Sequence, residues 1–327
     1  MLQDLGFHRA FPWAATALLS ATWLGSLSAG CSDGDDGKAK GAGGAGIVLP
    51  GAGNSSVPNA GSGPYKLPDG YTKSELGGFK LGDPFDGDKP PNSATMGNNS
   101  DCSAILAVVR DFNAESGTNP HADFEKFAGQ AATKGLVAPT LTDQKPVYTG
   151  RCELGKLDPS CPYEAQTSGK AAFDQWYRYT ANVNKPYTLY LSLEPHKGML
   201  VFQSHSYFPL DGTGLGNQGR SHNYHFTTEI HTQFEYRGGE TFLFIGDDDV
   251  WVFMNNKLAL DLGGLHPEAN GSVVLDQRAD DLGLTKGKLY SLDLFHAERH
   301  THDSNFRVET NLRFTNCGVI VPEPPPR

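Results

Sequence analysis

Residues 244–266 read FIGDDDVWVFMNNKLALDLGGLH, and this stretch decides the fold. Its acids separate two short apolar runs, Thr241–Ile245 and Val250–Met254. A third run, Leu258–Leu262, follows the turn residues Asn255-Asn256-Lys257. Short apolar runs with this punctuation predict strands in a sandwich or barrel. The pattern continues outward. Phe226, Thr228, Ile230, Thr232, Phe234 and Tyr236 alternate with Thr227, Glu229, His231, Gln233 and Glu235. Phe306, Val308, Thr310, Leu312 and Phe314 alternate with polar residues, and Tyr187, Leu189, Leu191 and Leu193 share a face. Period-two alternation predicts antiparallel strands with one apolar and one solvated face. One short helix is expected near His121–Lys134 and a helical turn near Phe173–Tyr177. The expected class is all-β, an antiparallel β-sandwich with one or two short helices.

The 327 residues carry a net charge of −10 with only 27 Lys and Arg, and no basic run occurs. That excludes a general nucleic-acid binder, which needs a phosphate-neutralising surface. Residues 11–29 are apolar, marginal in length for a spanning helix, and end in small residues, as an export signal does. They stop at Leu27-Ser28-Ala29-Gly30-Cys31, which resembles a bacterial lipobox with Ser28 where Leu is usual. This predicts a signal peptide over 1–30 and lipidation of Cys31. An ordinary secretory peptide is the alternative. Ser32 after Cys31 implies outer-membrane sorting and a cell-surface location, with membrane contact through the lipid anchor alone. Residues 31–101 are expected to form a flexible Gly/Ala/Pro-rich linker, residues 102–317 the folded domain, and residues 318–327 a Pro-rich tail. Four cysteines remain, Cys102, Cys152, Cys161 and Cys317, which allow three pairings in an oxidising compartment. The pairing expected is Cys152–Cys161, closing a short loop, with Cys102–Cys317 clasping the domain ends. Zinc is the competing reading, against which Cys152 and Cys161 lack close-spaced Cys or His partners.

Residues 244–266 and the run Leu292–Phe306 resemble the core of the fibro-slime domain. So do Val109–Phe112, Phe173–Tyr177 and Tyr207–Asp211, and the resemblance covers about 102–317. It implies an exported protein acting in surface adhesion or matrix contact. Fibro-slime domains resemble in turn the PA14 β-sandwich. Its Asp-Asp pair aligns with Asp247-Asp248 and its turn with Asn255-Asn256. In sugar-binding PA14 members the two acids are joined by a cis peptide and hold a calcium ion that coordinates sugar hydroxyls. A late-loop asparagine assists, matched here to Asn305.

The residues themselves support a cation. Three consecutive acids repel one another unless solvated or neutralised, and apolar strands flank Asp247, Asp248 and Asp249 on both sides. Calcium takes 6–8 oxygen ligands. Glu298 falls at a strand end in line with the core face, and Asn305 begins the next strand. The calcium set expected is therefore Asp247, Asp248, Asp249, Glu298 and Asn305. A buried salt bridge of Glu298 to Arg299 or Arg278 is the rival reading. His266, Trp251 and Arg299 are candidates for the ligand surface, although a tryptophan opposite Val250 and Val252 also suits packing under a loop. His266, His296, His300 and His302 invite a transition-metal reading. Without a helical His-Glu-x-x-His pattern they are expected instead to shape the loop by hydrogen bonds. No nucleophile elbow or phosphate-cradling loop is present. The expectation is a non-enzymatic adhesion or recognition protein that binds glycan or extracellular matrix. A structural envelope protein and a glycoside hydrolase are the alternatives.

Overall fold

The computed structural model describes residues 65–90, 102, 104–114, 118–162 and 164–317. The export segment 1–30, Cys31, linker residues 31–64 and 91–101, and the tail 318–327 lie outside the described residues. The elements are β1 (Thr72–Lys73), β2 (Gly78–Pro84), β3 (Ile105–Phe112), α1 (Lys170–Phe173), β4 (Asn184–Ser192), β5 (Glu194–His196), β6 (Met199–Ser204), β7 (Phe226–Tyr236), β8 (Thr241–Gly246), β9 (Asp249–Met254), β10 (Lys257–Leu262), β11 (Ala269–Val274), α2 (Leu275–Leu282), β12 (Lys288–Glu298), β13 (Phe306–Thr310) and β14 (Arg313–Asn316). All named pairings are antiparallel. One sheet runs β1-β2-β4-β3-β7-β12-β9-β10, with β14 also on β7. The other runs β11-β8-β13-β6-β5. The class is the expected all-β sandwich with two short helices.

The sandwich core forms from one face of each sheet. Ala107, Val109, Leu189, Ile230, Val252 and Leu294 from the larger sheet join Phe202, Phe242, Phe244, Phe306 and Val308 from the smaller. The other face of the larger sheet departs from expectation. Thr227, Glu229 and His231 of β7 are buried, not solvated. So are Trp251, Phe253 and Phe295, because residues 124–177 fold over them as an irregular third layer with Phe124, Tyr148, Phe173 and Trp176 in the contact. Polar groups under this cover are paired. Glu229 accepts from Arg110 at 2.5 Å, from His231 at 2.5 Å and from Lys145, while His231 Nδ1 meets Asp293 at 2.6 Å. Burial alone would raise Glu229, but Lys145, Arg110 and His231 hold its carboxyl well below the usual range.

Three further expectations change. Residues 78–84, assigned to the linker, form β2 and pair with β4. No helix forms over 121–134; His121, Asp123 and Phe124 are buried inside the irregular cover, and tertiary packing overrides the helical spacing. The single strand expected over 306–314 breaks at Asn311. Asn311 Oδ1 accepts the Thr241 N–H at 2.7 Å, and the chain crosses from the smaller sheet at β13 to the larger at β14. Cys102 pairs with Cys317 and Cys152 with Cys161. The first ties the approach to β3 to the residue after β14, where Leu106 N–H donates to the Cys317 carbonyl at 2.8 Å.

His231 gives the fold a pH dependence. Burial would lower its pKa, but Glu229 and Asp293 raise it from 6.5 to about 9. A raised folded pKa means stabilisation fully present below pH 6.5 and lost as pH rises through about 9. Urea melts between these values are expected to show stability falling with pH, and His231→Asn is expected to flatten that slope.

Candidate functional site

The acid turn links β8 to β9 where the sheets meet at one end. Gly246 closes β8 against β13, where an added Cβ would stand 2.2 Å from the Asn305 carbonyl oxygen, so a side chain is excluded. The following Asp247–Asp248 peptide is cis, as the resemblance implies. Asp247, Asp248 and Asp249 are all buried, at 5%, 6% and 0% exposure. Three buried carboxylates in succession demand partners, and each finds different ones.

Asp247 is held by Asn305, which donates its backbone N–H at 2.8 Å and its side-chain Nδ2 at 2.7 Å. Asn305 turns its oxygen away, toward His205 Nδ1 at 3.1 Å. In this conformation Asn305 positions Asp247 and offers no oxygen to a cation. Asp248 Oδ2 accepts the N–H groups of Arg299 at 2.9 Å and His300 at 3.0 Å. Burial nevertheless raises Asp248 from 3.8 to about 8, with Asp249 and Asp247 adding to the rise. Burial also raises Asp247, against the bonds from Asn305.

Asp249 plays another part. Its Oδ2 accepts from Arg299 Nε at 2.7 Å, and its Oδ1 accepts the Gly264 N–H. Asp249 is thus the counter-charge of buried Arg299 and does not line the cavity that Asp247 and Asp248 face, so the expectation that it joins them on a cation is corrected. Arg299 is fully buried rather than on a ligand surface. Its Nη1 donates to the carbonyls of Gln166 at 3.0 Å and Asp123 at 3.3 Å, and its guanidinium lies 4.4 Å from the Trp176 ring. Trp251 is likewise corrected. It is fully buried, donates Nε1–H to Asp261 at 3.0 Å, and packs near Phe173 and Trp176 under the cover layer.

Glu298 makes no bridge to Arg299 or Arg278. It is 1% exposed, and neither carboxyl oxygen has a hydrogen-bond partner. The nearby Ser304 hydroxyl donates to the Tyr207 carbonyl and the His300 N–H to Asp248. Burial, then Asp248 and Asp247, drive its carboxyl well above the usual range.

A cavity of about 560 Å3 opens on this end. Asp247, Asp248 and Asn305 line it, with His266–Glu268, His300, His302 and Asp303, and residues 128–130. Glu298, Asp249, Arg299 and Trp251 do not. His266 is near the cavity as expected, but its ring nitrogens are held by the Pro267 and Leu262 carbonyls at 2.8 and 3.0 Å. His296 is buried, and its Nε2 meets the Asp247 carbonyl at 2.8 Å; burial lowers its pKa to about 4. This fits the loop-shaping role. Sequence reading missed the wall at 128–130. The signal there is contextual, since Gly129 admits the Leu265 carbonyl where a Cβ would lie 1.7 Å away.

Do these residues suit calcium? Among the described residues no three His, Cys, Asp or Glu side chains form a ready cage. The charge balance nevertheless favours a cation. Asp247 adds to the rise of Asp248, both add to that of Glu298, and the buried cation Arg299 is paired to Asp249. Asp247 and Asp248 face the cavity and would hold the ion, leaving its other positions to water or ligand oxygens. Glu298, outside the cavity, would add charge behind them.

A family model for the PA14 domain matches residues 210–327. Relatives include three proteins of Dictyostelium discoideum. Protein psiC is 39% identical over 67% of this chain and 44% of its own length. Protein psiH is 44% identical over 55% of this chain and 26% of its own, and protein psiR is 37% identical over 60% and 21%. The chain thus spans less than half the length of these relatives.

Arg299→Ala is expected to destabilise the protein by about 3–5 kcal/mol in urea melts, because Asp249 is left as an unpaired buried charge. Adding Asp249→Asn is expected to recover part of that loss.

Proposed function

We propose that this chain is a cell-surface recognition protein that binds glycans or extracellular matrix through a calcium ion on Asp247 and Asp248. One observation carries the reading: two adjacent buried carboxylates, with raised pKa values, line an open cavity to which no Lys or Arg contributes. A divalent cation relieves that charge and presents free coordination positions to ligand hydroxyls. The motifs at 109–112, 173–177, 207–211 and 292–306 support the finer reading of a fibro-slime-type domain, and the PA14 match over 210–327 agrees with it.

Binding is favoured over catalysis. Glycoside hydrolysis needs two carboxyl groups flanking the scissile bond. Here the two buried cavity acids are neighbours joined by one peptide, Glu298 lies outside the cavity, and the other acids that line it, Glu268 and Asp303, belong to surface loops. We further propose that Cys31 carries lipid and tethers the domain to the outer membrane, where many copies compensate for weak single contacts. Among the described residues no helix is long and apolar enough to cross a membrane.

Calorimetry on the full chain is expected to show one calcium bound with a dissociation constant of about 0.1–1 mM, the range of extracellular calcium modules. Asp247→Asn and Asp248→Asn should abolish it. An absence of heat at millimolar calcium, with melting unchanged by chelator, would refute the calcium reading. A glycan array run with and without calcium separates a lectin from an envelope protein that has no small-ligand site. For the anchor, Cys31→Ser should release the protein from membranes, and retention would count against lipidation.

A further inference from the structure

The histidines around the acid turn divide into two kinds. His296 and His266 spend ring nitrogens on backbone carbonyls. His300 and His302 do not. Their Nδ1 atoms face each other at 3.2 Å, with ring planes 9° apart and ring centres separated by 5.2 Å. The centres stand well beyond the facing nitrogens, so the rings lie edge to edge rather than one over the other. The lone pair of an imidazole nitrogen lies in the ring plane and points outward. Both Nδ1 lone-pair directions therefore meet in the gap between the rings.

That gap has the dimension of a shared metal ligand pair. Imidazole nitrogens bind zinc at 2.0–2.1 Å, so two on one tetrahedral ion stand about 3.3 Å apart. We propose that His300 and His302 form a binding site for a first-row transition-metal ion of the zinc, copper and nickel class. The site lies on the cavity wall and is separate from the acid pair. Imidazole suits such ions, whereas calcium prefers oxygen.

The surroundings agree. His302 is exposed and His300 half-buried, and both line the 560 Å3 cavity, so an ion has a path in and open positions once bound. Asp303 lines the same cavity and offers a carboxylate on the next residue. The loop is pre-set from below, since the His300 N–H donates to Asp248 and Arg299 is held by Asp249. Two protein nitrogens leave the remaining positions to water or to a ligand in the cavity, so the metal would be bound reversibly. The competing account is one hydrogen bond between the two rings. At an exposed position such a bond contributes little, because water competes for both nitrogens.

The test is a copper(II) titration of the full, chelator-stripped chain, with and without excess calcium, followed by electron paramagnetic resonance. The expected result is one ion per chain with nitrogen hyperfine structure from two imidazoles, in both conditions. His302→Ala and His300→Ala should each abolish that signal. His302 is exposed, so its variant should melt as the parent does without metal. Copper binding of equal affinity in the parent and His302→Ala would overturn the proposal. So would the absence of a two-nitrogen signal, or displacement of copper by calcium. Failure of the protein to bind calcium would refute the acid-pair reading and leave this one standing.

Discussion

The buried ion pair between Arg299 and Asp249 organises this end of the molecule. A fully buried guanidinium is tolerable only if its charge and donors are met. Asp249 meets the charge; the carbonyls of Asp123 and Gln166 take donors, and Trp176 covers the face. Those partners come from β9 and from two separate parts of the irregular cover. The Arg299 backbone N–H also reaches Asp248, and its carbonyl accepts from Glu125 at 2.8 Å. One residue just beyond β12 therefore fixes the acid turn, the cover layer and the start of the histidine loop together.

The strands were legible because their alternation is strict. Val250, Val252 and Met254 point into the sandwich, and the runs at 226–236 and 241–262 appear as strands with nearly the expected bounds. The outer face was misread for a physical reason. Glu229 and His231 look solvated in sequence, yet they are buried and paired with each other and with Asp293, Arg110 and Lys145. A polar residue at a strand's outward position reports only that its group is satisfied. It does not report whether water or another side chain satisfies it. The cover itself has no period, because apart from the one-turn α1 it is built from turns around Phe124, Tyr148 and Trp176. The break at Asn311 was hidden in the same way, by a side chain that replaces a backbone partner.

The candidate site was legible in part. The acid triplet between apolar strands marked the turn, and Asp247 and Asp248 line the cavity. Three consecutive identical residues carry no information on which faces outward. The turn assigns Asp249 to the interior as the counter-charge of Arg299. Trp251 and Arg299 were candidates for the ligand surface, and burial assigns both to the support beneath the site. The wall at 128–130 and the link from His205 to Asn305 join positions far apart in sequence, which no local pattern records.

This arrangement couples binding to the integrity of the layers. The cavity walls come from the cover at 128–130, the acid turn, the segment after β10 and the loop after β12. An ion or ligand that touches several of them exists only while the cover is docked. Its binding free energy then opposes undocking, and at a hundredfold excess over the dissociation constant it contributes about 2.7 kcal/mol. Without an ion, the excess of buried acid works in the opposite sense. Burial, and then neighbouring acids, disfavour ionisation of Asp248 and Glu298, so the folded state must hold protons there or bear the repulsion. These carboxylates thus weaken the fold as it stands, a cost that the proposed cation would relieve.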